Sequence, residues 1–260
     1  MLVRLGTRER TRLMQRMGRP GGADLSVYPR GVLVLFRAPA IFIGPLLAHL
    51  AATLLTALMG MGGATGGMAT LNFGIAGLLI RIIYGIGIGV AIIAADIAWR
   101  RGKVRMEEVW RDTQRKLGDL IWAVLGFGFV VYVATLLGGY IGIGLLLAAA
   151  ATIFAIYTLP AAAIGGTPGV AALNASFERV RSQPIPAVIL GLVYMLFTYL
   201  VPYVIALSAL PLLYRAVPQL GVSDIVLSLI EAVIVAVCDA YVAVVLARVY
   251  DDRSTGRFYR

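Results

Sequence analysis

The chain holds one cysteine and one histidine, and only 14% of its residues are charged. Each scarcity excludes something. A single cysteine, Cys238, cannot form a disulfide within the chain, and no zinc-ligand spacing can be built from it. A soluble domain carries about 25% charged residues, so this chain has too few to cover the surface of one. One histidine provides at most one axial ligand to a haem or a chlorophyll-type pigment. No haem-attachment motif accompanies it, and no cofactor is expected. There is no Ser-His-Asp set, metal cluster or phosphate loop. No cleavable signal peptide is evident, because the first apolar run is far longer than the 7–15 residues of a signal core.

What the chain has in quantity is apolar sequence. Sixty per cent of its residues are hydrophobic, and the mean hydropathy is +0.89. A helix crosses a bilayer with about 20 apolar residues, and the apolar runs predict six spans. They are expected from about Val32 to Met59, Leu71 to Trp99, Gly118 to Leu137, after Gly139 to Ile164, from Pro184 to Leu210, and from Ile225 to Val249. The predicted fold is an all-α polytopic transmembrane bundle in residues 31–250. A basic N-terminal segment precedes it (residues 1–30) and a short tail follows (residues 251–260).

The charges orient this bundle. Of the 23 Lys and Arg residues, all but Arg81 and Arg215 fall in segments that a six-span topology puts on one side. The positive-inside rule makes that side the cytoplasm and places both termini there. The net charge of +10 sits at the ends of apolar runs and not on a soluble fold. The expected partner is therefore anionic lipid, and no nucleic acid is expected. Arg4, Arg8, Arg12 and Arg16 recur every four residues and are headgroup candidates on an interfacial helix. Two further stretches read as amphipathic helices on the cytoplasmic face. In one, Met106, Val109, Trp110, Thr113 and Leu117 share a side; in the other, Val170, Leu173, Phe177 and Val180 do.

Five ionisable residues fall inside the predicted spans: His49, Arg81, Asp96, Glu231 and Asp239. Each is expensive there, about 2.5–3.5 kcal/mol on insertion scales. Asp96 is close enough to Arg100 and Arg101 to form an interfacial salt bridge. At about 1.5 Å per residue, Arg81 and Glu231 lie at matching depth from the outer side, which predicts a pair across spans 2 and 6. His49 and Asp239 lie at similar depth from the inner side and are expected to share a layer and a proton. Such a pair is either a polar lock for the bundle or the material of a proton relay. Gly85, Gly87 and Gly89 read as a close-packing face, as do Gly138 and Gly142.

The stretch Gly165 to Leu192 (GGTPGVAALNASFERVRSQPIPAVILGL) resembles the inner loop and following span of the membrane domain of some bacterial glycerophosphodiester phosphodiesterases. It is also similar to related six-span inner-membrane families. Ser176, Arg179 and Arg181 occupy the places of that loop's serine and basic residues. The catalytic domain of those enzymes is absent, so the resemblance implies a membrane module without the activity. The resulting expectation is a non-enzymatic bacterial inner-membrane protein, an accessory or structural subunit that associates with other membrane proteins or with itself. A small transporter or permease subunit is the alternative.

Overall fold

The computed structural model describes residues 24–58, 75–140, 142–205, 208 and 223–254. Arg4, Arg8, Arg12, Arg16, the Gly60–Thr70 turn, the Arg215 loop and the end of the tail lie outside the described residues. The described residues form nine α-helices: α1 Val27–Arg37, α2 Ile43–Leu58, α3 Ile75–Arg101, α4 Met106–Tyr140, α5 Gly144–Ala155, α6 Thr158–Ala163, α7 Gly169–Ser182, α8 Pro184–Met195 and α9 Ser223–Ser254. Six segments are long and apolar enough to cross a membrane: Pro39–Thr56, Gly77–Arg101, Met106–Tyr140, Gly144–Ala163, Pro184–Ile205 and Leu229–Asp251. The six-span, all-α reading therefore holds.

Three boundaries differ from expectation, and each has a local cause. The first apolar run is two elements. The chain breaks at Ala38 (φ −130°, ψ 68°) and passes through a 3-10 turn, Pro39–Phe42, before α2 begins. Ala38 precedes a proline, which disfavours the helical region for it. Span 1 thus starts at Pro39, and α1 is a separate helix. The turn between spans 3 and 4 is also not at Gly138-Gly139, because α4 runs on to Tyr140. Gly142 makes the reversal with φ +76°, a conformation that favours glycine. Gly138 instead lets the two helices touch, since a Cβ there would lie 2.6 Å from the Gly144 Cα.

The third difference is in span 4, which is broken between α5 and α6 at Ile156 and Tyr157. Pro160 has no N–H and its ring opposes the carbonyl four residues back, so a regular helix cannot run through this point. The break is spliced from elsewhere in the chain. Ser176 of α7 is fully buried. Its hydroxyl accepts from the Tyr157 N–H at 3.1 Å and donates to the Phe154 carbonyl at 2.8 Å. Ser176→Ala would remove the partner of the buried Tyr157 N–H and of the part-buried Phe154 carbonyl, an expected loss of about 1–3 kcal/mol. Denaturation in mixed detergent micelles measures it.

Spans 2 and 6 are the most enclosed, with 56% and 61% of their windows buried, against 17% for spans 3 and 5. Glycines on both sides of α3 allow this. Gly87 faces span 1, where a Cβ would be 2.5 Å from the Ala48 Cβ and 3.0 Å from the Gly44 carbonyl oxygen. Gly85 and Gly89 face span 3, against Val124 and Leu120. Span 2 is therefore gripped from two directions.

The ends of spans 2, 4 and 6 meet the start of α4 and all of α7 at one basic end of the bundle. Arg100 reaches Asp96 (2.9 Å) and Asp251 (3.3 Å). Arg101 reaches Glu108 (2.6 Å). Lys116 donates to the Ala163 carbonyl and Arg179 to the Tyr250 carbonyl. The Arg179 guanidinium also lies 4.1 Å from the centroid of the Tyr250 ring. The Gly169 N–H donates to the Asp119 carboxylate at 3.0 Å. On α7 the buried stripe is Gly169, Ala172, Ser176 and Val180, while Val170 is exposed. At the start of α4, Val109 and Thr113 are buried, while Trp110 and Leu117 are exposed. Periodicity marked one broad apolar face on each stretch, and only part of that face meets protein.

Candidate functional site: an intramembrane polar centre

His49 lies in the second turn of α2 and Asp239 in the middle of α9, and packing of α2 against α9 brings them together. Nε2 of His49 and Oδ2 of Asp239 are 2.8 Å apart, and both side chains are buried. A hydrogen bond between these atoms holds one proton, on nitrogen or on oxygen. The expected juxtaposition is thus present. The His49 ring lies against Tyr84 of span 2, with centroids 4.5 Å apart and planes inclined by 42°. Thr53 donates to the His49 carbonyl at 2.9 Å, and Thr56 donates to the Ala52 carbonyl at 2.8 Å. These threonines keep their own hydroxyls satisfied inside α2, as hydroxyls in spans commonly do.

The other oxygen of Asp239, Oδ1, is buried and has no hydrogen-bond partner among the described residues. Such a group is costly in a medium of low dielectric constant.

Tyrosines surround the pair. Tyr84, Tyr194 and Tyr199 all lie within electrostatic reach of Asp239. Tyr194 and Tyr199 pack against each other. Their rings meet edge to face at 6.2 Å, a favourable arrangement for aromatic pairs. Tyr199 lies on a single π-helical turn, Leu196–Leu200, that follows Tyr194 along span 5, and such turns often occur at functional positions. The centre therefore draws on spans 1, 2, 5 and 6. Sequence reasoning missed its tyrosines. The available signal was the tyrosines within the apolar runs of spans 2 and 5, with Tyr84 three residues after Arg81 and hence on the same side of α3.

Glu231 lies within electrostatic reach of Tyr84, and Arg81 within reach of Tyr199. The Arg81 side chain extends toward span 3, with Nη1 4.0 Å from where a Cβ on Gly128 would be. Both charges thus border the polar layer. Their mutual pairing stays a prediction. Arg81→Gln, Glu231→Gln and the double variant should give a coupling of about 0.5–3 kcal/mol in a double-mutant cycle. Additive losses would mean that the two charges act separately.

Asp96 is not part of this centre. It pairs with Arg100, one helical turn on, at the basic end. Arg101, the other expected partner, is taken by Glu108. Cys238 is buried next to Asp239 in α9. No group of three or more metal-ligating side chains is found among the described residues. The Nε2 atom of His49 is engaged by Asp239, leaving only Nδ1 for any further ligand.

Comparison of the chain with protein-family models, curated proteins and solved structures returned no match.

Proposed function

We propose that this is a non-catalytic integral protein of the bacterial cytoplasmic membrane, with both termini in the cytoplasm. It serves as an accessory or structural subunit of a membrane complex or of lipid and envelope physiology. The observation that carries this reading is the contrast between core and flank. The ionisable groups His49 and Asp239 are enclosed and bonded to each other, while spans 3 and 5 turn most of their apolar surface outward. A polar pair shut inside the bundle holds helices in register. Broad apolar flanks suit packing against other helices or a second copy of the chain. The resemblance of Gly165–Leu192 to the membrane domain of glycerophosphodiester phosphodiesterases agrees with a membrane module of this kind. The gathering of Arg100, Arg101, Lys116, Arg179 and Arg248 near one end supports the orientation through the positive-inside rule.

A photo-crosslinking residue at Phe129, exposed on span 3, or at Leu192, exposed on span 5, tests the reading. A discrete protein adduct in native membranes is expected. Adducts to lipid alone at both positions would refute the accessory role. The orientation is tested separately, by labelling a cysteine at Ser254 in right-side-out and inverted vesicles. Reaction only in inverted vesicles is expected.

The orphaned Oδ1 of Asp239 supports a second reading, a small transporter or permease subunit that uses the polar layer. It predicts a pH-dependent flux in proteoliposomes that Asp239→Asn abolishes. No flux above empty vesicles would leave the accessory reading alone.

A further inference from the structure

The first helix carries an arrangement that the proposed accessory role does not use. We propose that α1 is a lipid-binding helix: its exposed face takes an anionic phospholipid, the phosphate against Arg30 and Arg37 and the acyl chain against Leu33 and Phe36.

Length comes first. Eleven residues rise about 16 Å, roughly half of a 30 Å hydrocarbon core, so α1 cannot cross a bilayer. It packs on α9 near the basic end. A Cβ on Gly31 would sit 3.4–3.5 Å from Val244, Val245 and Tyr241. The Tyr241 hydroxyl donates to the Tyr28 carbonyl at 3.2 Å. This contact lies six to ten residues before Asp251, or about 9–15 Å along the axis of α9. Amphipathic helices at an interface sit at comparable depth, with their apolar faces about 5–10 Å into the headgroup and acyl boundary.

At 100° per residue the helix divides into three sectors. Val27 and Gly31 are buried against the bundle, with Val34 and Leu35 partly buried beside them. Val32, Leu33 and Phe36 form an exposed apolar sector, with Phe36 80% exposed and Leu33 55%. Arg30 and Arg37 are seven residues apart and so lie on the same side, about 10.5 Å from each other along the axis. They border the apolar sector at Leu33. Neither takes part in a salt bridge among the described residues. Asp24, just before α1, is hydrogen-bonded to Ser26. Its carboxylate accepts from the Ser26 N–H at 3.0 Å; the hydrogen bonds to Ser26, and then the charges of Arg30 and Arg248, hold its pKa below the ordinary value.

Two exposed guanidinium groups outside any salt bridge among the described residues, beside an apolar strip, match a molecule with a negative head and a hydrocarbon tail. An apolar strip alone would suit any neighbouring helix. The adjacent charges select an anionic lipid over a zwitterionic one, at about 1 kcal/mol for each basic residue near an anionic surface.

The test uses the full chain in detergent micelles with equimolar phosphatidylglycerol and phosphatidylcholine, read by native mass spectrometry. The wild type is expected to retain phosphatidylglycerol at least about five-fold over phosphatidylcholine. Arg30→Gln with Arg37→Gln should bring the ratio close to one. Replacement of Arg4, Arg8, Arg12 and Arg16 by glutamine should leave it above half the wild-type value. A wild-type ratio near one, or a ratio lost only in the N-terminal variant, overturns the proposal. Displacement of the lipid by excess inorganic phosphate would reduce the site to an anion site and overturn it too. A second measurement does not depend on the arginine variants. Phe36→Trp in vesicles of brominated phosphatidylglycerol should show quenching beyond that of the three native tryptophans. No added quenching would mean that protein, such as a second copy, covers the face, and the lipid assignment would fall. The accessory role stands or falls on the crosslinks at spans 3 and 5, so the two failures are distinguishable.

Discussion

His49→Ala is expected to destabilise the bundle by about 3–5 kcal/mol, the range reached when one partner of a buried ionisable pair is removed and the other is left behind. The reason is the carboxyl group left behind. Asp239 is buried, and its Oδ1 already has no partner among the described residues. Losing Nε2 of His49 leaves Oδ2 in the same position. Asp239→Leu should be milder, because the group it strands is an imidazole that can stay neutral, and a stranded neutral donor costs about 1–3 kcal/mol. Replacing both residues with leucine should recover much of the loss, since an apolar pair leaves nothing unsatisfied. Steric denaturation or SDS titration of the reconstituted protein gives all three values. Interhelical hydrogen bonds in membrane proteins average only about 0.6 kcal/mol in double-mutant cycles. A loss of that size for His49→Ala would show that the pair is an ordinary contact and not the lock of the bundle.

Gly87→Leu should have the second largest effect, about 1–3 kcal/mol or more from overpacking, with loss of contact between spans 1 and 2. The atoms in the way are a backbone carbonyl at Gly44 and the Cβ of Ala48. Neither belongs to a side chain that can swing aside, so the helices themselves must separate. Ala48 precedes His49, and separation would also draw the imidazole from Tyr84. Gly85→Ala is a useful contrast. Its Cβ would collide with the Val124 side chain, and Val124→Ala should rescue it. Gly118→Ala should go the other way. Nothing lies within 4 Å of the added methyl group, and replacing a helical glycine with alanine gains about 0.5–1 kcal/mol. Thermal stability of the four variants in one detergent ranks them directly.

Six spans were readable because hydropathy integrates over about 20 residues, and no local detail can overturn that sum. The His49–Asp239 pair was readable because both residues can be placed by counting turns from a charged end. Depth, however, is only one coordinate. Rotation about the helix axis is the other, and packing decides it. The shared depth of Arg81 and Glu231 therefore leaves their pairing to be decided by how spans 2 and 6 are rotated. The same gap explains Trp110 and Val170. An apolar stripe next to a membrane faces lipid or protein, and the two look identical in sequence. The breaks at Ala38 and at Ile156–Tyr157 were announced by Pro39 and Pro160, but the hydropathy of those windows does not register a missing N–H. The splice by Ser176 is a contact across 22 residues, and nothing in the local pattern of span 4 signals it.

That splice also imposes an order on synthesis. Phe154 and Tyr157 are translated before the serine that completes their helix. At about 5–20 residues per second, the gap of 22 residues lasts roughly one to four seconds. During that interval span 4 is a helix with an open joint, and α7 must fold back before the joint can close. The hairpin of spans 3 and 4 is therefore not a finished unit when it leaves the ribosome. It matures only when its successor arrives, so a chain that stalls at Ile164 would release an immature hairpin to the membrane's quality-control proteases.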